Sequence, residues 1–266
     1  MARHLLQSMV EDLRLDDLPA NWNSLDTGTF SDQKTLWDYQ QQAVRNAIKV
    51  LWKYYENFDD YRGSESPDDT IHRKEALYQW YEQNGLADGL DISADARHIK
   101  LLLSDYYPLQ DGKVSYRNFI NRMCFWMATG SGKTLVLVKL LELLGRLVEL
   151  DEIPPHDILV LTYRDDLIEQ LKTHVDEFNA AHTDIFIRLR ELREYPEAKR
   201  DDPSLFRNGD LTVFYYRSDN LSDEQKEKII DFRNYDDEGR WYVLLDEAHK
   251  GDRDESKRQQ IYSILA

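Results

Sequence analysis

The stretch that most constrains the fold is residues 127–134, which read Met-Ala-Thr-Gly-Ser-Gly-Lys-Thr. An apolar segment, residues 119–126, precedes it, and a Leu- and Val-rich segment with helical spacing, residues 134–150, follows it. This order of strand, glycine-rich turn and helix is the setting in which a Gly-Lys-Thr sequence binds phosphate. Glycines let backbone N–H groups surround an anion, and the helix start adds the positive end of its dipole. The pattern therefore predicts a nucleotide-phosphate loop made of Gly130, Ser131, Gly132, Lys133 and Thr134, with the Thr134 hydroxyl on magnesium.

An acidic sequence after a second apolar segment supplies chemistry that such a loop needs. Asp246-Glu247-Ala248-His249 follows the apolar run 242–245. An enzyme that hydrolyses nucleoside triphosphates needs one carboxylate to hold magnesium and a second group to orient the attacking water. Asp246 suits the first task and Glu247 the second. Adjacent carboxylates after a strand are also common on ordinary surfaces, but the earlier loop favours the catalytic interpretation.

The composition excludes several other classes of protein. With 41% hydrophobic residues among 266, the chain is expected to fold as one large domain or two smaller ones. A net charge of −16 argues against a surface that binds polyanions everywhere, so any nucleic-acid contact must be local. The single cysteine, Cys124, excludes an internal disulfide and is expected to fill space in the strand before the loop. Without a signal-type segment or a run of about 18 apolar residues, we expect a soluble, cytoplasmic protein with no membrane partner.

Strands and helices are predicted to alternate after the loop. The expected strands are 157–162, 184–189, 211–215 and 241–245, and the expected helices are 165–179, 222–232 with a capping-box start, and one from about 255. Alternation of this kind after an early phosphate loop predicts an α/β fold, a mostly parallel sheet with helices on both faces.

The part of the chain before the loop is predicted to be mainly helical. Residues 1–35 are expected to form an N-terminal extension, a short helix and then a surface connection, and residues 36–58 a helix whose apolar stripe packs in the core. Residues 59–118 look like a helical insertion with helices near 71–84 and 93–106, the second capped by Ser93. Its aromatic side chains are either a small helical core, which we favour, or a base-stacking platform; they are Tyr78, Trp80, Tyr81, Tyr106 and Tyr107.

The two chemical motifs together resemble motifs I and II of the superfamily 2 DEAD/DEAH-box helicases and translocases. Residues 36–43, Leu-Trp-Asp-Tyr-Gln-Gln-Gln-Ala, resemble the Q motif, although Trp37 stands where an arginine is often found. Residues 161–170 resemble motif Ia of restriction-enzyme motor subunits, in which a methionine at position 127 is also familiar. The resemblance is closest to the branch of the type III restriction enzyme Res subunit, and it covers 36–58 and 119–266 as the first motor domain only.

The resemblance implies a RecA-like P-loop fold, ATP and Mg²⁺ as cofactors, and a role for each matching residue. Lys133 and Asp246 would act at the phosphates and metal, and Glu247 would be the catalytic base. His249 would couple nucleotide to the rest of the motor, and Gln40, beside Tyr39, would read the adenine edge. Thr162 and Arg164 would contact the nucleic-acid backbone; Arg217 is a weaker strand-end candidate that is otherwise a solvated charge. The implied partners are DNA, duplex or single-stranded, a second motor domain and other defence-system subunits.

Two parts of such a motor do not occur in the sequence. The Ser-Ala-Thr sequence of motif III and a second motor domain with its arginine fingers are absent from the 266 residues. Since an arginine finger can contribute ~10³–10⁵ in rate, we expect the chain alone to bind ATP with little or no turnover. Two alternatives stay open, a catalytically silent P-loop regulatory or interaction module and a small-molecule kinase, and a kinase would not need Glu247 or Gln40.

Overall fold

The computed structural model describes residues 5–60, 67–86, 92–93, 106–201, 206–207, 209–222, 229–235, 240–246 and 261. The chain divides into two units, residues 1–93 with 113–154 and residues 94–112 with 155–266, and each is described by itself.

The first unit is mainly helical. Its helices are Leu5–Asp12 (α1), Ala20–Asn23 (α2), Asp38–Tyr55 (α3), Pro67–Gln83 (α4) and Lys133–Glu149 (α5). Short 3₁₀ turns lie at Leu15–Asp17, Phe58–Asp60 and Tyr116–Phe119, and the strands Ile92–Ser93 (β1) and Lys113–Val114 (β2) pair antiparallel. The helix expected over 36–58 is confirmed as α3, because Val44 and Ile48, four residues apart, are fully buried on one face.

The amino-terminal residues are more deeply buried than the sequence predicted. The expected short helix exists as α1, but the segment after it is not a surface connection. Trp22 and Phe30 are 1% and 0% exposed. Trp22 Nε1 donates a hydrogen bond of 2.6 Å to a carboxylate oxygen of Glu152, so the segment is fixed to the turn that follows α5.

A buried lysine joins the same segment to the middle of α5. Lys139 is 0% exposed, and its Nζ lies 2.7 Å from a carboxylate oxygen of Glu142. The same Nζ donates to the Thr29 carbonyl at 2.8 Å and lies 3.6 Å from Asp26. A buried ammonium is tolerated only when its donors are satisfied, so the amino-terminal segment completes the packing of α5.

The strand expected over residues 119–126 is wrong. All of these residues are described, and none joins a strand. Ile120 packs instead in a cluster with α1 and α4, which explains the apolar signal without a β-ladder. Cys124 is exposed, and Trp126 is 89% exposed, so neither fills a core position.

Helix α4 confirms the helix expected near 71–84 and shows how its aromatic residues are used. Tyr78 and Tyr81 are 9% and 4% exposed, which agrees with the interpretation that these aromatic side chains form a small helical core. On the same face, one turn before Tyr78, Lys74 Nζ donates to the Asn118 carbonyl at 3.1 Å. Burial, and then the charge of Arg122, lowers the pKa of Lys74 to about 8. Tyr106, in contrast, belongs to the second unit.

The second unit is built on a parallel sheet. Its strands are Asp157–Thr162 (β3), Phe186–Glu191 (β4), Phe206–Arg207 (β5), Asp210–Arg217 (β6), Leu221–Ser222 (β7), Ile230–Asp231 (β8) and Trp241–Leu245 (β9). Its helices are Asp165–Ala181 (α6) and Tyr195–Asp201 (α7), with 3₁₀ turns at Leu192–Glu194, Ser218–Asn220 and Phe232–Tyr235. The described strands run in the order β4-β6-β3-β9, all parallel, and β5 pairs antiparallel with β6. At the centre, Ile158 of β3 lies opposite Val213 of β6 and Tyr242 of β9.

Most predicted elements of this unit are confirmed. The strand at 157–162 is found with the expected bounds, and the helix from 165 extends two residues further than expected, to Ala181. The helix expected over 222–232 is wrong where it is described, because β7 and β8 pair there as short parallel strands. Of the helix expected from about 255, only Ile261 is described, and it is helical. The helix expected over 93–106 lies outside the described residues apart from Ser93, which is in β1, and residue 106.

A buried carboxylate, that of Asp157, stabilises the amino-terminal end of β3. Asp157 is 2% exposed; it accepts a hydrogen bond of 2.8 Å from the Tyr195 hydroxyl and lies 2.7 Å from Lys199 Nζ. The Tyr195 ring packs 4.7 Å from the Trp241 ring, centroid to centroid. These contacts hold α7 against the amino-terminal ends of β3 and β9. The opposite, carboxyl-terminal end of a parallel sheet is where ligands bind.

Candidate nucleotide-binding site

The glycine-rich loop has the backbone geometry of an anion-binding turn. Gly130 and Gly132 have φ angles of +77° and +74°, in the left-handed region that residues with a Cβ rarely adopt. Between them, the Ser131 N–H donates to the Ala128 carbonyl at 3.2 Å. Helix α5 begins at the next residue, Lys133, so the positive end of its dipole faces the loop.

Helix α3 supports this loop from one side. Gln40 Nε2 donates to the Ser131 carbonyl at 2.8 Å, and the Tyr39 hydroxyl donates to the same oxygen at 2.9 Å. The Gln40 Oε1 accepts a hydrogen bond of 2.8 Å from the Trp37 N–H at the start of α3. Gln40 is 3% exposed, so the hydrogen bonds by which its amide joins the start of α3 to the loop are shielded from water.

The close approach between α3 and the loop requires a glycine at position 132. A Cβ built on Gly132 would lie 2.5 Å from Gln40 Nε2, whereas one built on Gly130 meets nothing within 4 Å. Glycine is therefore needed at position 132 for two reasons, backbone conformation and space, and at position 130 for conformation alone.

Lys133 and Thr134 stand in the first turn of α5. Lys133 is half-buried and Thr134 is 6% exposed. These positions fit a triphosphate whose β- and γ-phosphates lie over the helix start, with the ammonium as counter-charge and the hydroxyl as a ligand of Mg²⁺. Magnesium is commonly held by one or two protein oxygens together with phosphates and water, and within this unit the Thr134 hydroxyl is the oxygen that the sequence predicts for it.

Asp246 follows the end of β9 in the second unit. It is 8% exposed, and its N–H donates to the Leu161 carbonyl at 2.9 Å, next to the end of β3. Thr162, the last residue of β3, is 2% exposed, and its hydroxyl donates to the Arg164 carbonyl at 3.3 Å. The carboxyl ends of neighbouring parallel strands thus bring Asp246 and Thr162 to one edge of the sheet. Glu247 and His249 lie outside the described residues.

The arginines at this edge are paired with nearby carboxylates. Arg164 Nε and Nη2 donate to the two Asp166 oxygens at 2.8 and 2.7 Å. Arg217 Nε donates to Asp219 at 2.9 Å and Nη1 donates to Asp165 at 2.8 Å. The hydrogen bonds with Asp219, and then the negative charges of Asp219 and Asp165, raise the pKa of Arg217 above its ordinary value.

A cleft lies beside Arg217 at the carboxyl ends of β4 and β6. Its volume is about 380 Å³, and its wall includes cationic and aromatic side chains. Lys172 Nζ lies 5.2 Å from the centre of the Tyr215 ring, and Arg193 Nε donates to the Tyr216 hydroxyl at 2.9 Å. Sequence reasoning did not assign Lys172 and Arg193 to the site, because they come from α6 and from the turn after β4, where no motif marks them.

One family matches nearly the whole chain. The model described as type III restriction enzyme, res subunit, matches residues 33–265. The chain belongs to this family. Neither a curated protein nor a solved structure matches it.

Membership in the Res-subunit family confirms the resemblance on which the sequence interpretation depended. The family is one of first motor domains of superfamily 2 helicases, with a RecA-like fold, and the parallel sheet agrees with that fold. Its members are ATP-dependent motor proteins of the helicase type that use Mg²⁺ and act on nucleic acid. In the described ranges of this Res-family chain, no helix is long and apolar enough to cross a membrane.

Sequence reasoning missed one exposed aromatic residue next to the loop of this Res-family domain. Trp37 is 71% exposed and lies edge-on to Tyr39, with ring centroids 6.2 Å apart. In the sequence it was noticed only as a departure from the usual arginine. Its exposure depends on the path of the chain before α3, and no residue pattern encodes that path.

Proposed function

We propose that the chain is the nucleotide-binding half of an ATP-dependent DNA helicase or translocase of a restriction or phage-defence system, acting in the cytoplasm. In this proposal a second motor domain supplies the arginine finger, other defence-system subunits are further partners, and the chain alone binds ATP with little turnover. The observation that supports it most is the loop geometry, two left-handed glycines leading directly into α5 with Lys133 at its first position.

The residues of the first unit are proposed to hold the nucleotide. Lys133 neutralises the β- and γ-phosphates, and Thr134 is a ligand of Mg²⁺. The loop backbone at Gly130, Ser131 and Gly132 cradles the phosphates, since the two left-handed glycines curve the chain around an anion. Tyr39 and Gln40 border the base end of the nucleotide, and both contact the loop directly.

The residues after β9 are proposed to complete the chemistry. Asp246 binds Mg²⁺ and Glu247 orients and deprotonates the attacking water, while His249 couples the nucleotide state to the remainder of the motor in a DEAH-type arrangement. The burial of Asp246 supports this role, because a carboxylate held away from water binds a cation more strongly.

Nucleic acid is proposed to cross the carboxyl ends of β3 and β6, at Thr162 and Arg164. The Arg164 and Asp166 side chains are 58% and 59% exposed, and exposed pairs of this kind contribute only about 0–1 kcal/mol. A DNA phosphate can therefore replace the Asp166 carboxylate at the guanidinium with little loss. The net charge of −16 makes such local exchange, and not a broad basic surface, the expected mode of contact.

The nucleotide part is tested by calorimetric titration of the chain with Mg²⁺–ATP beside a Lys133→Ala variant, together with steady-state hydrolysis. We expect binding that Lys133→Ala removes, and little turnover with or without duplex DNA. Lys133-independent binding, or none, would refute the proposal. Turnover that depends on Lys133 and rises with DNA would show that copies of the chain supply the missing half to one another.

The nucleic-acid part is tested by DNA binding as a function of salt for Arg164→Ala. One lost phosphate contact lowers the slope of log affinity against log salt by about 0.9 on a duplex. Arg188→Ala is the matched control, because Arg188 is exposed like Arg164 but lies within β4, away from the strand ends. Equal effects of the two variants would contradict the proposed path.

A further inference from the structure

We propose that Trp37, supported by Tyr39, is the stacking surface for the base of the nucleotide, and that the chain therefore accepts nucleoside triphosphates with little discrimination between bases. The inference rests on the proposed function, because it concerns the base end of the same ligand. It departs from the expectation that Gln40 reads the adenine edge.

The first support is the combination of exposure and anchoring. Trp37 and Tyr39 are 71% and 49% exposed, and their rings meet at 68° with centroids 6.2 Å apart. In this edge-to-face arrangement Tyr39 steadies the indole and leaves ring surface open to a planar ligand. Together the two adjacent rings form an exposed apolar surface next to the loop, of the kind that marks ligand-binding sites.

The second support is position. The Tyr39 hydroxyl donates to the carbonyl of Ser131, at the centre of the phosphate loop, so the aromatic pair adjoins the loop directly. The phosphates must lie over the N–H groups at the start of α5, and the ribose and base then extend from the α-phosphate. A base placed on the α3 side of the loop meets Tyr39 and Trp37.

The third support is that both polar atoms of the Gln40 amide already make hydrogen bonds within the protein. Its Nε2 donates to Ser131, and its Oε1 accepts from the Trp37 N–H. At 3% exposure, little of the amide surface is left to meet a base edge. To read adenine with both atoms, Gln40 would have to give up the bonds that hold the loop against α3.

The two ways of holding a base predict opposite specificity. A site that hydrogen-bonds a base edge rejects the wrong base strongly, because its own polar groups are left unpaired. Stacking on an aromatic ring tolerates any base, since every base has a π-face. Because Trp37 and Tyr39 are exposed beside the loop and Gln40 is buried, stacking is the interaction that the described residues offer.

The experiment compares the affinities of the Mg²⁺ complexes of ATP, GTP, CTP, UTP and tripolyphosphate, measured by calorimetry. The variants are Trp37→Ala, Trp37→Phe and Lys133→Ala. Phe186→Ala is the control, because Phe186 is an aromatic residue that is 43% exposed and belongs to the second unit, whereas the residues of the proposed base site all belong to the first. Since Trp37 is mostly in water, its replacement is not expected to disturb folding, and an unchanged melting temperature checks this.

We expect ATP and GTP to bind within about threefold of each other, and Trp37→Ala to weaken both by about 5- to 30-fold. Trp37→Phe should restore most of the affinity. Tripolyphosphate, which has no base, should bind the wild type and Trp37→Ala equally, and Phe186→Ala should change nothing.

Unchanged nucleotide affinity in Trp37→Ala, or a preference for ATP over GTP above about 50-fold, would overturn the inference. If Lys133-dependent binding of tripolyphosphate persisted in either case, the phosphate loop would still work and the proposed function would stand. Binding of no triphosphate, or binding that ignores Lys133→Ala, would instead overturn the proposed function and this inference with it.

Discussion

Replacement of Gly132 by alanine tests the contact between α3 and the phosphate loop quantitatively. A non-glycine residue in the left-handed region costs ~1–2 kcal/mol, and the lower entropy of the unfolded alanine variant offsets ~0.4–1 kcal/mol of that cost. The backbone part of Gly132→Ala should therefore destabilise the chain by about 1 kcal/mol.

The added methyl group has a second effect at this position only. It would lie 2.5 Å from Gln40 Nε2, which is closer than two such atoms can approach, so the Gln40 side chain must move. Two hydrogen bonds are then lost, one to Ser131 and one from Trp37, each worth about 1 kcal/mol. The total for Gly132→Ala is therefore about 3 kcal/mol.

Gly130→Ala is a matched control in the same loop. Gly130 has nearly the same φ, +77° against +74°, but a Cβ there meets nothing within 4 Å. We expect it to lose only about 1 kcal/mol in the free energy of unfolding, measured by urea denaturation followed by circular dichroism. In a Gln40→Ala background, Gly132→Ala should also cost only about 1 kcal/mol, because the clash is gone. Equal losses for the two glycine variants, or an undiminished loss in the Gln40→Ala background, would show that the contact does not exist in solution.

Three further changes test other parts of the fold by urea denaturation. Trp22→Phe keeps the buried ring but loses the 2.6 Å bond to Glu152, and should cost about 1–3 kcal/mol; no loss would place the amino-terminal segment elsewhere. Asp157→Asn leaves Lys199, whose side chain is 32% exposed, without its counter-charge and should cost about 1–3 kcal/mol, whereas a neutral result would contradict the ion pair. Burial lowers the pKa of Lys74 from 10.5 in the unfolded chain to about 8 in the folded chain. Between about pH 8 and pH 10 the unfolded chain therefore holds more protons than the folded chain, so the free energy of unfolding should rise with pH across this range. Lys74→Met should remove that part of the rise.

Elements in the second unit could be predicted from sequence because local pattern and burial agree there. Residues 157–162 are apolar except at the ends, and all six are buried in the middle of the sheet. The same rule failed at 119–126, where an apolar run packs on helices through Ile120 and leaves Trp126 in water. An apolar run shows that a segment is to be buried, but it does not show whether the partner is a strand or a helix.

The site could be predicted only where residue type determines chemistry. The loop glycines and Lys133 follow from their spacing, because phosphate binding needs those residues in that order. The bond from Tyr39 to Ser131 joins residues 92 positions apart, and no spacing rule reports such a distance. The exposure of Trp37 was beyond prediction for the same reason, since it depends on tertiary packing and not on neighbouring residues.

The fastening of the amino-terminal segment to α5 has a consequence for where this protein can be cut. The family match begins at residue 33, yet Thr29 and Asp26, which satisfy the buried Lys139, lie before that point. A fragment trimmed to the homologous region would expose the apolar surface that Phe30 covers and would leave a buried ammonium short of acceptors. The boundary of shared ancestry and the boundary of independent folding are therefore different positions in this chain.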